Sequence, residues 1–378
     1  MTALITRAEL ATLARDNGLV VAGVTSAEPF DAARDYIIDH IKRGHTAGMP
    51  WFTVERARQA ADPRTLHDHV QSIISVAVPF WTGGAEPPDD GVLRGRIARY
   101  AWGRDYHKTL KRRMVALVSN LEQQIGRPLE ARTLVDTARI FDRAVAERAG
   151  TGWVGKNSMI IVPRHGSWVM LGEIMLDIPL TPDVPLGHDC GRCRICIDRC
   201  PTGAIIEPYR ISAPRCISFL TIEERGIIPH ELRGMMGDRV FGCDVCQDVC
   251  PYTLAAQPMQ DPDFAPASVE NAFPSLERLV TMTQAEFYEI YSGTAVIRAK
   301  RAGMARNAAI ALGNSGDSRA EPILTRMLSE HDEPIARGHA AWALNHLTSG
   351  GSRVTLERAL RQESDDYVLQ EIRTALAA

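Results

Sequence analysis

Residues 190–201 read Cys190-Gly-Arg-Cys193-Arg-Ile-Cys196-Ile-Asp-Arg-Cys200-Pro201, and this run decides how the rest of the chain is read. Bacterial ferredoxins hold iron–sulfur clusters with this C-x2-C-x2-C-x3-C-P spacing, the fourth cysteine ligating the neighbouring cluster. A lone Cys216 and then Cys243-x2-Cys246-x3-Cys250-Pro251 follow, and the chain has no other cysteine. Eight thiolates complete two four-cysteine sites, which predicts two [4Fe–4S] clusters. The crossed pattern assigns Cys190, Cys193, Cys196 and Cys250 to one, and Cys216, Cys243, Cys246 and Cys200 to the other. Structural zinc also uses four cysteines, but the third cysteine of this run is foreign to zinc knuckles. Disulfides are disfavoured because the chain opens with no charged-then-apolar signal segment, which predicts a reducing, cytoplasmic setting.

Outward from the cysteines, 378 residues predict two or three domains. No apolar run approaches the ~20 residues that span a bilayer, so no membrane partner is expected. The net charge of −3 gives no global attraction to a polyanion, so any nucleic acid has to meet a local patch. Two base-rich stretches qualify. Arg94–Arg113 holds eight Lys or Arg against Asp105, interleaved with Tyr100, Trp102 and Tyr106. Gly293–Gly316 holds Arg298, Lys300, Arg301 and Arg306 and no acid. Such mixtures suit phosphate contacts and base stacking, and equally suit a solvated helix face.

Helix and strand signals mix without a regular βαβ beat, so residues 1–185 read as an α+β domain. Thr6 and Glu9 form a capping box before Leu10, Leu13 and Ala14. Leu19–Val24 and Ser72–Phe80 read as strands, Tyr106–Gln124 as a helix, and Thr133–Val135 as a short strand delivering Asp136. A helix over Ile140–Ala149 follows, then a hairpin whose arms, Ser158–Val162 and Trp168–Leu176, flank the turn Pro163–Gly166. Residues 186–258 form the ferredoxin-like domain, with Cys216 inside a helical stretch. From 259 on, after a Pro/Asp/Ala-rich linker, Arg301–Gly313 is echoed by Arg337–Leu344, each with an amphipathic partner. That is a helical-pair repeat of the HEAT kind, with too few repeats to stand alone.

Two clusters form an electron wire that needs an acceptor. Gly150–Gly155 (GTGWVG) follows a helix rather than a strand, so it is not a dinucleotide fingerprint. Asp136 reads either as a general acid or as the cap of the next helix.

Several separate motifs then fall in one order: Thr25-Ser26-Ala27-Glu28-Pro29, Arg99–Lys108, Val135-Asp136-Thr137, Gly152–Asn157, and Cys216–Glu223. Together with the cysteine pattern and the repeat tail, they resemble the epoxyqueuosine reductase family over essentially the whole chain. The resemblance implies a nitroreductase-like, cobalamin-binding N-terminal domain and reduction of the epoxide of epoxyqueuosine to queuosine at the wobble position of tRNA. Base-off cobalamin would take electrons from the clusters, which an external low-potential donor feeds. Asp136 would be the proton donor, with its pKa raised by burial. Arg58, Gly155, Lys156, Asn157, Ser158 and Ser218 would face the corrin. Tyr100, Tyr106, Arg298, Lys300, Arg301 and Arg306 would meet substrate or tRNA. A monomer is expected. A corrinoid reductive dehalogenase and a ferredoxin-type carrier without its own substrate are the rival readings.

Overall fold

The structure, a computed structural model, describes residues 5–347 and 352–377. At its centre is a four-stranded antiparallel sheet in the order Val21–Ser26, Ser72–Pro79, Val169–Leu176, Ala131–Leu134. Every residue of Ser72–Pro79 is buried because both faces of the sheet are covered. Alternation along the strands separates the faces. Ile74, Val76 and Ile174 pack against Leu10 and Ala14 of the Arg7–Asp16 helix and against Leu110, Met114, Leu117 and Leu121 of the Tyr106–Ile125 helix. Ile73, Met175 and Leu134 face the other way, onto Val145 of the Asp142–Arg148 helix and onto Phe30. Four fully buried apolar side chains, each costing roughly 2–5 kcal/mol to truncate to Ala, clamp the Tyr106–Ile125 helix to the sheet. Its first turn, carrying Tyr106 and His107, is thereby held in place.

The expected hairpin is not what forms. Ile160–Ile161 pairs back with Trp153–Val154, while Val169–Leu176 runs into the middle of the main sheet, leaving one bridge between Val162 and Gly166. Two long strand partners outweigh one short neighbour. The helix expected from Ile140 starts at Asp142, so Asp136 lies well before it and caps nothing. Cys216 precedes the Ile217–Ile222 helix as its N-cap residue instead of lying within it.

Five C-terminal helices follow: Lys300–Asn314, Ala320–Glu330, Pro334–His346, Ser352–Gln362 and Asp366–Ala377. Their core merges with Ile222, Val240 and Phe241 of the cysteine-bearing region and with Ile97, Ala101 and Trp102. The repeats thus share one core with the parts before them, as their small number requires. The linker is pinned as well: Asp261 and Asp263 take the guanidinium of Arg113, and Asp263 also that of Arg112. Gly103 admits this path, since a Cβ there would lie 2.2 Å from the Asp263 carbonyl oxygen. Among the described residues, no helix is long and apolar enough to cross a membrane.

Candidate active site and cysteine centres

Asp136 lies in a turn two residues past the short strand, which ends at Leu134 rather than Val135. It takes the left-handed region at φ 43, a conformation that costs a non-glycine residue ~1–3 kcal/mol and is held only where surroundings impose it. Those surroundings are specific. Tyr106 Oη donates to Asp136 Oδ2 at 2.6 Å, and His107 Nε2 lies 3.3 Å from the same oxygen. The other ring nitrogen of His107 meets Asp105 Oδ1 at 2.8 Å. Arg56 Nη2 donates to the Thr137 carbonyl oxygen at 3.2 Å and supports the loop from below. Protein surrounds Asp136 on most sides, yet 57 % of its side chain still reaches solvent, so the carboxyl stands in an open concavity.

The electrostatics reverse one expectation. Burial pushes the Asp136 carboxyl up, but His107 and Tyr106, helped by the charge of Arg298, pull it further down. It therefore rests below the usual carboxylate range rather than above it. The proton sits next door: Asp105 first, then Asp136, raise the His107 imidazole to about 9 against its own burial. Asp136 is thus a carboxylate facing an imidazolium. Burial and Asp136 also push the Tyr106 phenol far up, so it remains a donor.

A second group of carboxyls lies under the same loop. Glu173, on the central strand, is paired with Ser75 on one side and Leu134 on the other, and is fully buried. Neither of its carboxyl oxygens nor Asp142 Oδ1 meets a hydrogen-bond donor among the described residues. Burial, and then Asp142, drive Glu173 well above the ordinary carboxyl range, so Glu173 holds a proton against Asp142.

The cysteines gather in two sets. Cys190, Cys193, Cys196 and Cys250 line one cavity together with Lys156, Asn157, Ile161 and Tyr252. In the other set, Cys216 is opposed electrostatically by Cys200, and Cys246 by Cys243 and Cys216. Burial pushes the Cys196 thiol up to about 11 and Cys243 to about 12, so these sulfurs ionise when metal takes the proton's place. The donor set, all sulfur and four to a group, fits [4Fe–4S] centres.

The residues expected at the corrin and the tRNA are dispersed. Lys156 Nζ donates to the Gly191 and Cys193 carbonyl oxygens at 2.5 and 2.9 Å. Asn157, 2 % exposed, donates to the Cys246 carbonyl oxygen, and Ser158 Oγ donates to the Tyr209 carbonyl oxygen at 2.6 Å. These side chains fasten the N-terminal domain to the cysteine loops, with Gly155 in the turn beside them. Arg58 is exposed, and it is Arg56 that reaches the Asp136 loop. Ser218 lies partly exposed on the first turn after Cys216.

Arg306, 1 % exposed, donates to the carbonyl oxygens of Leu220, Glu224 and Gly226, which takes it out of any RNA surface. Arg301, 7 % exposed, is paired with Asp332 and Glu333. Arg298, ion-paired with Glu223 and lying over the Trp51 ring, remains beside the concavity, and Lys300, two residues on, is exposed. Tyr100 packs edge-on against Tyr106, 5.9 Å between centroids. The Arg94–Arg113 stretch is mostly consumed by acids, Arg94 by Asp90 and Glu270, Arg99 by Asp244 and Asp248. Sequence reasoning passed over His107, Arg56 and the Glu173–Asp142 pair. A lone acid in the apolar strand Val-Met-Leu-Gly-Glu-Ile-Met-Leu was the legible signal for Glu173.

Comparison with known proteins joins these parts. The epoxyqueuosine reductase QueG family model matches residues 61–137, a 4Fe-4S double cluster binding domain matches 189–253, and HEAT repeats match 295–377. The epoxyqueuosine reductase of Bacillus anthracis is 35% identical over 361 residues, 95% of this chain and 93% of that one. A crystal structure of epoxyqueuosine reductase with an epoxyqueuosine-modified tRNA stem loop superposes with a TM-score of 0.90 at 34% identity, over 98% of both chains. The Bacillus subtilis enzyme, solved with its catalytic aspartate loop swung out of the active site, matches equally, with a TM-score of 0.90, 34% identity and 98% of each chain. With relatives this similar along almost its whole length, the chain belongs to the epoxyqueuosine reductase family.

Proposed function

We propose that this protein reduces the epoxide of epoxyqueuosine to queuosine at the wobble position of tRNA, using two [4Fe–4S] clusters and base-off cobalamin, with Asp136 delivering a proton. The observation that carries the reading is the Asp136 carboxylate, presented at φ 43 in an open concavity with Tyr106 and His107 on one of its oxygens. Cys190, Cys193, Cys196 and Cys250 would hold one cluster, and Cys200, Cys216, Cys243 and Cys246 the other. When bound, the clusters and the corrin supply low-potential electrons and a nucleophilic, strongly reducing centre.

The chain's own residues supply position and protons. Removing the epoxide oxygen as water consumes two electrons and two protons while both C–O bonds break and a C=C bond forms. His107 Nε2 holds a proton 3.3 Å from Asp136 Oδ2 and passes it through that carboxyl to the departing oxygen. Tyr106 fixes the orientation of the carboxyl. Ser218 and the backbone at Gly155 are the corrin-facing groups left by the bonds made at Lys156, Asn157 and Ser158, with Arg58 at the outer edge. Arg298 and Lys300 would meet tRNA phosphates, and Tyr100, through Tyr106, would shape the nucleoside site. The solved relative with a modified stem loop and the one with a displaced catalytic aspartate loop support this arrangement. A cytoplasmic monomer fed by an external donor completes the proposal.

The test is anaerobic. Cluster-loaded protein with cobalamin and dithionite is given epoxyqueuosine-containing tRNA, and nucleosides are read by mass spectrometry. Conversion to queuosine by the wild type, lost in Asp136→Asn, supports the reading. No conversion with clusters and corrin bound overturns it in favour of a dehalogenase-like activity.

A further inference from the structure

The two cysteine sets differ in what flanks them. Around the first, the loop is open: Arg192, Arg194, Ile195, Asp198 and Arg199 are exposed, and Tyr252 and Leu254, on the short helix behind Cys250, are 42 % and 70 % exposed. Of the second set, Cys216 and Cys243 pack against Ile217, Leu220, Leu232 and Met236, while all four of its cysteines stay partly exposed and Cys250 of the first set is buried. Tyr252 ties the rim together. Its ring meets Trp153 edge-on and its hydroxyl reaches the Asp189 carbonyl oxygen at 3.5 Å. On the far side of that helix, Gly166 abuts Thr253, bringing the Pro163–Gly166 turn and the exposed Arg164 to the same rim.

The charges on this rim are unbalanced in a usable way. Asp189 is occupied by the Gly191 amide, and Asp198 lies 3.8 Å from Arg194. Arg164, Arg192 and Arg199 form no ion pair among the described residues. Arg94, Arg96, Arg99 and Arg113, by contrast, are each paired with acids. A small apolar patch ringed by free cations suits brief contact with an acidic partner. Surface charge there accelerates encounter without making release slow.

We propose that this rim (Arg164, Arg192, Ile195, Arg199, Tyr252 and Leu254) is the docking surface for a small acidic one-electron carrier protein of the flavodoxin or ferredoxin kind. The inference rests on the proposed reading that the first cysteine set holds a cluster. It assigns direction to the wire. Electrons enter at the first set and pass to the second, whose Cys216 leads through the Ile217–Ile222 helix to Glu223, Arg298 and the Asp136 concavity. Each epoxide needs two electrons, so two reduced carriers dock in turn and leave oxidised, and the oxygen departs as water with two protons. A tRNA at the rim is the competing occupant. It is disfavoured because Arg298, the exposed cation whose charge reaches Asp136, lies at the other end of that path.

The test uses the full, cluster-loaded chain and an acidic flavodoxin, whose flavin reports binding directly. Arg192→Glu combined with Arg199→Glu is expected to weaken flavodoxin binding about tenfold at low salt, with the difference shrinking as salt rises. Dithionite-driven epoxyqueuosine reduction and tRNA affinity should stay at the wild-type level. Arg164→Glu, outside the cysteine loop, should weaken flavodoxin binding in the same direction, and it decides the case if the double variant loads its clusters poorly. Unchanged flavodoxin binding in these variants overturns the proposal, as does a loss of tRNA affinity in its place. A wild type that binds flavodoxin but reduces no epoxyqueuosine would strike the activity reading and leave the docking result standing.

Discussion

Asp136, just past the edge strand Ala131–Leu134, and Glu173, on the strand beside it, are two carboxyls that the structure treats in opposite ways. Asp136 stands in an open concavity with a phenol and an imidazolium on its oxygen, and is held ionised. Glu173 is sealed with only another acid for company, and is held protonated. Burial raises the carboxyl in both, although Asp136 still reaches solvent and Glu173 does not. What turns them in opposite directions is the partner, since a cation and two donors overcome desolvation whereas a second carboxyl adds to it. A residue that must exchange protons with a substrate is given partners that can themselves give or take one.

The largest effect expected from breaking this contrast is at Asp136. Asp136→Asn keeps the shape and removes the titrating oxygen, and should lower the rate of queuosine formation by roughly 10²–10⁴-fold in single-turnover assays. Retained activity would return the role to His107 or to water. Next is His107→Gln, which removes the imidazolium and lets the Asp136 carboxyl rise. In the wild type the rate should fall as pH climbs through about 9, where His107 gives up its proton. The variant should lose that alkaline limb together with about tenfold or more of the rate. A variant with the wild-type pH profile would show that His107 merely packs.

His107 and Glu173 both make stability fall with rising pH, over different windows. The folded pKa of His107 is raised, so its contribution is complete below the ordinary histidine pKa and is lost as pH rises through about 9. Glu173 also keeps its proton in the folded state after the unfolded chain has lost it. Stability from this pair is therefore greatest below the ordinary glutamate pKa and declines as pH rises above it. Glu173→Gln, which keeps the donor and cannot ionise, should flatten that decline and raise the melting temperature at alkaline pH by a few degrees, on the order of 1–2 kcal/mol. A melting temperature lowered at every pH would mean that the glutamate is needed charged. The smallest change expected is at Arg56→Ala, which removes two bonds from the Asp136 loop, to the Thr137 and Ala138 carbonyl oxygens. A several-fold loss of rate with an unchanged pH profile would fit a supporting role, and a shifted profile would not.

The same lesson separates what was legible from what was not. Cysteine spacing is a local signal, because a C-x2-C loop is closed by the chain itself, and so a double-cluster region could be read from residues 190–251. Amphipathic repeats are local too, and the C-terminal helices followed from their periodicity. Asp136 was legible as a candidate, since a strand end followed by polar residues delivers a side chain outward. Its neighbours were harder: His107 lay unremarked beside Tyr106 in the quoted motif, because nothing along the chain says that a helix's first turn, thirty residues earlier, will face it. The basic stretches failed for the same reason. Arg94, Arg99, Arg113 and Arg306 read as free cations until the acids of residues 238–270 and the carbonyls after Leu220 folded onto them.

By itself, then, the sequence determined the double-cluster region, the repeat tail and the α+β pattern, each of them set by spacing within a few turns of chain. Tertiary structure alone decided which arginines remain free and which carboxyl keeps its proton. Those are matters of charge and exposure, and both depend on what distant segments bring into contact.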